Sequence, residues 1–241
     1  MRQIVRKSAL FLCTGAALMT TTAVWADDVK QKVSLGVFGA YQNISSKDKN
    51  SARVTATGRT SSVLKDKKTA HGAKVGAAFL YDFVFESLSV GFGLDAAYAF
   101  GCEKSEERGR TYVLKNVLKP GFQGAATVRL ALPNETYDLG FTPYVRFGVS
   151  VAQFKTNFSF LNNPGTPAAT YDSKKATKWK VGPTAGLGIS KDFGPCAVQF
   201  GYDFAYYGKM QQKHTSGALN FALKKERLMT HTVSLGVMFP L

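Results

Sequence analysis

Few side chains in this chain could do chemistry. The histidines are His71, His214 and His231, and the cysteines are Cys13, Cys102 and Cys196. His231 has Thr232 and Ser234 close by, the pieces of a base and a nucleophile. In an extended segment, though, successive side chains point to opposite faces. Both hydroxyls then face away from the imidazole and cannot pass it a proton. No grouping of His, Cys and acid has metal-ligand spacing. The glycine pairs Gly91/Gly93 and Gly186/Gly188 lie inside alternating runs, not at a strand-to-helix turn, so they do not form phosphate loops. We therefore expect no catalysis, no metal and no cofactor.

The remaining chemistry is charge. The 241 residues include 31 Lys+Arg against 16 Asp+Glu, a net charge of +15. Such a balance first suggests a nucleic-acid partner. The N-terminus argues otherwise, because it reads as an export signal. Arg2, Arg6 and Lys7 precede an apolar run from Ala9 to Met19, and Val24-Trp25-Ala26 supplies small residues at the cleavage positions. Residues 1–26 are expected to be a signal peptide and 27–241 one mature domain. No stretch beyond the signal has the ~18 uncharged apolar residues of a transmembrane helix.

The elements that position the charges are strands. From Leu88 to Phe100 the even positions are Leu, Val, Phe, Leu, Ala, Tyr and Phe, while the odd positions are Ser, Gly, Gly, Asp, Ala and Ala. Period 2 marks a strand, and the small second face suits a narrow barrel interior with the apolar face turned to lipid. Seven further runs repeat the pattern, each with about the 9–11 residues that cross a bilayer as a tilted strand. Pro143 and Pro183 fall within two of them, where a local bulge is expected. Aromatics gather near the strand ends: Tyr98, Phe100, Phe154, Trp179, Tyr206 and Tyr207 at one side, Phe83, Phe85, Phe141, Phe193 and Phe239 at the other. Two interfacial girdles would produce this.

Connections alternate in length. Short links at Asp82–Ser87, Pro133–Asp138 and Asp192–Pro195 alternate with long ones at Ser45–Ala70, Gly101–Pro120, Lys155–Thr177 and Gly208–Arg227. This is the arrangement of short periplasmic turns and long external loops. The predicted fold is all-β, an eight-stranded antiparallel transmembrane β-barrel. The segment Pro143-Tyr-Val-Arg-Phe-Gly-Val-Ser-Val151, the glycine-alternating run Val181–Ile189 and the closing run His231–Phe239 resemble small outer-membrane β-barrel proteins. The likeness is to the OmpA/OmpX-like and opacity-type surface proteins of Gram-negative bacteria. It departs at the end, where Pro240 and Leu241 follow Phe239; such chains usually close on an aromatic.

Strand phase assigns Lys74, Asp95, Arg129, Arg146 and Asp203 to the lumen, with Asp82 at the periplasmic mouth and Lys180 near the rim. They form either a hydrophilic conduit or a plug of paired charges; an eight-stranded barrel favours the plug, having room for side chains or one small ligand. The long loops carry the excess of base: Lys47, Lys49, Arg53, Arg59, Lys65, Lys67 and Lys68 in the first, and Lys224, Lys225 and Arg227 in the last. Such a surface suits lipopolysaccharide phosphates or anionic host polymers. It lacks the interleaved aromatics that stack bases, so no nucleic-acid partner is expected. The expectation is a monomeric protein of the cell outer membrane in contact with outer-membrane lipid and lipopolysaccharide. Its role would be structural or in surface interaction (loop display, adhesion, lipopolysaccharide contact). The alternatives are a small porin-like channel and, behind it, an enzyme that modifies lipid A. Cys102 and Cys196 fall at opposite ends of the barrel, more than a disulfide can span, so both thiols are expected to be free.

Overall fold

The structure is a computed structural model that describes residues 29–54, 60–101, 103–108, 112–162, 170–216 and 219–241. The expectations for the signal peptide, Arg59 and Cys102 lie outside the described residues. Nine strands follow in order: β1 (Lys30–Val54), β2 (Thr60–Val84), β3 (Ser89–Gly101), β4 (Glu103–Arg108), β5 (Tyr112–Ala131), β6 (Thr142–Asn162), β7 (Thr170–Asp192), β8 (Ala197–Ser216) and β9 (Leu219–Pro240). A single helical turn, α1 (Asn134–Tyr137), links β5 to β6. The strands form one sheet in the order β3-β2-β1-β9-β8-β7-β6-β5-β4, and pairing of β3 with β5 closes it. Because β3 and β4 both pair with β5, they act as one stave, and the wall has eight. Closure removes the free edges that a bilayer does not tolerate.

Apolar alternation determines which face meets lipid. Val37, Leu94, Phe147, Val181, Leu187 and Leu235 are all exposed on the outer wall, which would be costly in water and is favourable in hydrocarbon. The turns at one end are tight. Phe85 N–H donates to Leu88 O at 2.9 Å, Phe193 N–H donates to Cys196 O at 2.9 Å, and Gly194 takes a left-handed φ of 89°. Cys196 is a free thiol at this end.

Three expectations need correction. The strands do not stop at the membrane: β1, β2, β6, β7 and β9 each run for more than twenty residues. The segments read as long loops are mostly hairpin arms, since polar residues can continue a ladder once no apolar face is required. The basic residues Lys47, Lys49, Arg53, Lys65, Lys67, Lys68, Lys224, Lys225 and Arg227 are therefore strand residues, with Lys47 opposite Glu226 and Lys49 opposite Lys224.

The prolines cause no bulge. Pro143 and Pro183 lie opposite Ile189 and Val149 in an unbroken β6–β7 register. Such register needs both in the wide, non-hydrogen-bonded pairs, so their missing N–H groups point away from that ladder. Pro143 O instead accepts from Leu132 N–H at 3.1 Å. The bulges lie elsewhere, between Ser45 and Lys47, Pro120 and Gln123, and Tyr206 and Met210.

Two aromatics assigned to the outer girdle are inside it. Phe154 and Tyr207 are 0% and 5% exposed, and their rings meet edge to face with centroids 5.4 Å apart. The reason is phase: three residues beyond the outward Val151, position 154 points inward.

Candidate functional site

Four of the lumen charges, Asp82, Arg129, Arg146 and Asp203, lie on one cross-strand row. Register places Asp82 opposite Gly91, Gly91 opposite Arg129, Arg129 opposite Arg146, Arg146 opposite Gly186 and Gly186 opposite Asp203. A Cβ on Gly91 would collide with the Asp82 carboxylate, and one on Gly186 with that of Asp203, so the glycines make room for the acids. The two arginines are neighbours, and each turns away from the other toward an acid. Arg129 Nη1 donates to Asp82 Oδ2 at 2.8 Å and stacks over the Tyr144 ring, 4.4 Å from its centroid. Arg146 Nε donates to Asp203 Oδ1 at 2.7 Å and its Nη2 to Asp203 Oδ2, a two-pronged contact. Its Nη1 reaches across the lumen to Asp95 Oδ2 at 3.2 Å. Lys74 lines the same cavity as Asp95, Arg146 and Asp203, with its ammonium 5.5 Å from the Phe38 ring centroid. The four residues assigned with Arg146 to one network thus divide: Arg129 belongs with Asp82 at the periplasmic mouth, while Lys74, Asp95 and Asp203 gather around Arg146.

Above this row Gln42 and Gln123 exchange a reciprocal pair of amide hydrogen bonds at 3.0 and 3.1 Å. Further toward the long hairpins the lumen becomes apolar. Ile44, Leu118, Phe154, Met210 and Leu228 are buried there with Ala152 and Ala205. Sequence reading missed this plug because bulges reverse the phase: Met210 is even and Tyr207 odd, yet both point inward. Tyr207 marks the boundary, its hydroxyl 2.7 Å from Ser150 Oγ. Below Tyr207, among Lys74, Asp95, Arg146 and Asp203, lies a cavity of ≈ 60 Å³, room for a few waters.

Among the described seams, the ladder between β7 and β8 is short for the length of its strands. It runs only from Asp192↔Ala197 to Thr184↔Ala205, although both strands continue well beyond it. From that end upward side chains of β7 serve the carbonyls of β8. Thr184 Oγ1 donates to Phe204 O at 3.0 Å, Lys180 Nζ to Lys209 O at 2.5 Å, and Lys178 Nζ to Gln211 O.

On the outer wall two histidines sit against tyrosines. Tyr202 Oη is 2.6 Å from His231 Nδ1, and Tyr41 pairs in the same way with His71. Thr232 and Ser234 face the lumen.

A closed eight-stave barrel with an outward apolar band, aromatic belts and a filled polar lumen defines the class: this chain is a small outer-membrane β-barrel, and the outer membrane is where it resides. No family model matches the chain, and neither does any curated protein sequence. Solved structures of similar shape include the outer membrane protein OprG from Pseudomonas aeruginosa (12% identity, TM-score 0.49, covering 86% of this chain and 95% of that one). The outer membrane protein AlkL is another (15%, 0.44, 92% and 95%). A third is Ail, the attachment invasion locus protein of Yersinia pestis (9%, 0.36, 87% and 100%). These likenesses concern the fold alone.

Proposed function

We propose that this barrel is a closed, non-enzymatic anchor that presents its long basic hairpins to anionic partners outside the cell. The observation that carries this reading is the filled lumen. Ion pairs cross it at the level of Arg146, and an apolar plug with Leu118, Phe154 and Leu228 almost wholly buried lies above. A wide aqueous path needs neither. Buried charges without partners would be costly, so pairing them inside is the stable way to fill a narrow polar interior. The test is electrical: purified protein in planar bilayers should give no steady unitary conductance. A stable conductance proportional to salt would establish a channel and overturn the reading. Unchanged lipid A mass spectra on expression are expected for a non-enzyme; a new lipid A species that depends on His231 would reject it.

A further inference from the structure

We infer that the outer wall of β5–β7 carries a seat for the phosphorylated headgroup of lipopolysaccharide, centred on Lys119 and Lys155 with Lys175 beside them. The inference rests on the outer-membrane placement of the barrel and not on the reading of its lumen.

Register fixes the arrangement. Lys119 lies directly opposite Lys155, and the residues flanking them, Leu118, Pro120, Phe154 and Thr156, are buried inside. Both lysines therefore project outward, and both are exposed. Lys155 lies opposite Thr177, which makes Lys175 its diagonal neighbour on β7. Directly opposed side chains have Cβ atoms about 5 Å apart, and like charges there repel. Elsewhere on the long arms Lys47 lies opposite Glu226, Lys225 opposite Asp48 and Lys115 opposite Glu106, while Lys49 lies opposite Lys224 next to the Asp48–Lys225 pair. On β5, β6 and β7 above Trp179, no described outward position holds a carboxylate. An anion placed over Lys119 and Lys155 would turn this repulsion into attraction.

Height selects the anion. Trp179 and Gln153 form the outward pair immediately below Lys155, with Phe122 beside Gln153 on β5, and Val151 and Val181 lie below them. Two residues along a tilted strand raise Lys155 by roughly 5 Å above the Trp179 level. Trp179 is the interfacial marker, so the ammonium groups reach the headgroup layer sideways from the wall. Acyl chains can lie against Phe122 and Val181 beneath them. From Lys119 to Lys175 the patch spans on the order of 12 Å across two strand spacings, a span similar to that between the two phosphates at opposite ends of a sugar disaccharide. A polymer in the medium would instead meet the hairpin tips.

The experiment uses the folded barrel in detergent micelles with bis-phosphorylated hexa-acyl lipid A as the probe, binding being read by native mass spectrometry. Wild type is expected to retain it about tenfold better than monophosphoryl lipid A or phosphatidylglycerol. The double variant Lys119→Gln/Lys155→Gln should lose that preference, while Lys47→Gln on β1, across the barrel from β6, should keep it. Equal retention of the three lipids by wild type would overturn the seat, and this arm stands even if the double variant does not fold. A double variant that folds and keeps the preference would also overturn it. So would a soluble sulfated oligosaccharide that displaces lipid A through the same two lysines, since the partner would then be a polymer.

Discussion

The two halves of this barrel are filled in opposite ways. Toward the short turns the lumen holds paired charges inside a wall whose β7–β8 seam is laddered from Asp192 to Thr184. Toward the long hairpins the lumen is apolar, and the same seam is held by side chains reaching backbone carbonyls. The contrast shows what each filling can support. A charge network tolerates no missing partner, because the group left behind is buried and uncompensated. An apolar plug fails in proportion to the volume removed. Where the backbone ladder is incomplete, packing of Phe154, Tyr207 and Met210 behind the wall helps to hold the strands together.

The sharpest way to break this comparison is Arg146→Met. It strips Asp203 of a two-pronged partner and Asp95 of its cross-lumen one, leaving Lys74 as the nearby cation. We expect a loss of about 4 kcal/mol in urea unfolding from lipid vesicles, with Arg146→Lys intermediate because a point charge cannot hold two oxygens in a fork. A loss below 1 kcal/mol would mean that water, not arginine, compensates the acids. In the apolar half, Leu228→Ala should cost about 3 kcal/mol by the same measurement. At the boundary, Tyr207→Phe keeps the ring against Phe154 but removes the bond to Ser150, and should cost about 1 kcal/mol. If Tyr207→Phe proved as harmful as Leu228→Ala, the two halves would not be separable.

Much of the lower half was legible from the chain, and most of the upper half was not. Alternation at Leu88–Phe100 gave both the strand and the inward Asp95, because a two-residue period survives wherever one face meets lipid. Which acid meets which arginine depends on register across several strands. Phase alone groups Arg129 with Asp95 and Asp203, whereas its register opposite Gly91 brings it to Asp82. The upper lumen was hidden twice over. Bulges at Gly121 and Gly208 reverse the phase, and Leu118 lay in a segment whose polarity made it read as loop. The opposition of Lys119 and Lys155 was invisible for the same reason, since no local pattern reveals a partner thirty-six residues away.

The smallest effect is also the most specific to the seam. Along β6–β7 the prolines show that odd-numbered residues of β7 occupy non-hydrogen-bonded pairs, so their N–H groups point toward β8. Even-numbered residues such as Ala176, Lys178 and Lys180 give theirs to β6. Below Thr184 the odd amides find β8 carbonyls; above it the ladder has ended. Hydrogen exchange resolved by residue, on the barrel in micelles, should therefore alternate in the upper part of β7. Lys175, Thr177, Trp179 and Val181 should exchange faster than Ala176, Lys178 and Lys180, whereas Leu187 and Ile189 should be as protected as their even neighbours. Removing a side-chain bridge with Lys180→Met should weaken the seam by only about 0.5 kcal/mol, but it should speed exchange at Trp179 and Val181 without affecting Leu187. Uniform protection along β7 would mean that the seam is laddered throughout, and the difference between the halves would then lie in their fillings alone.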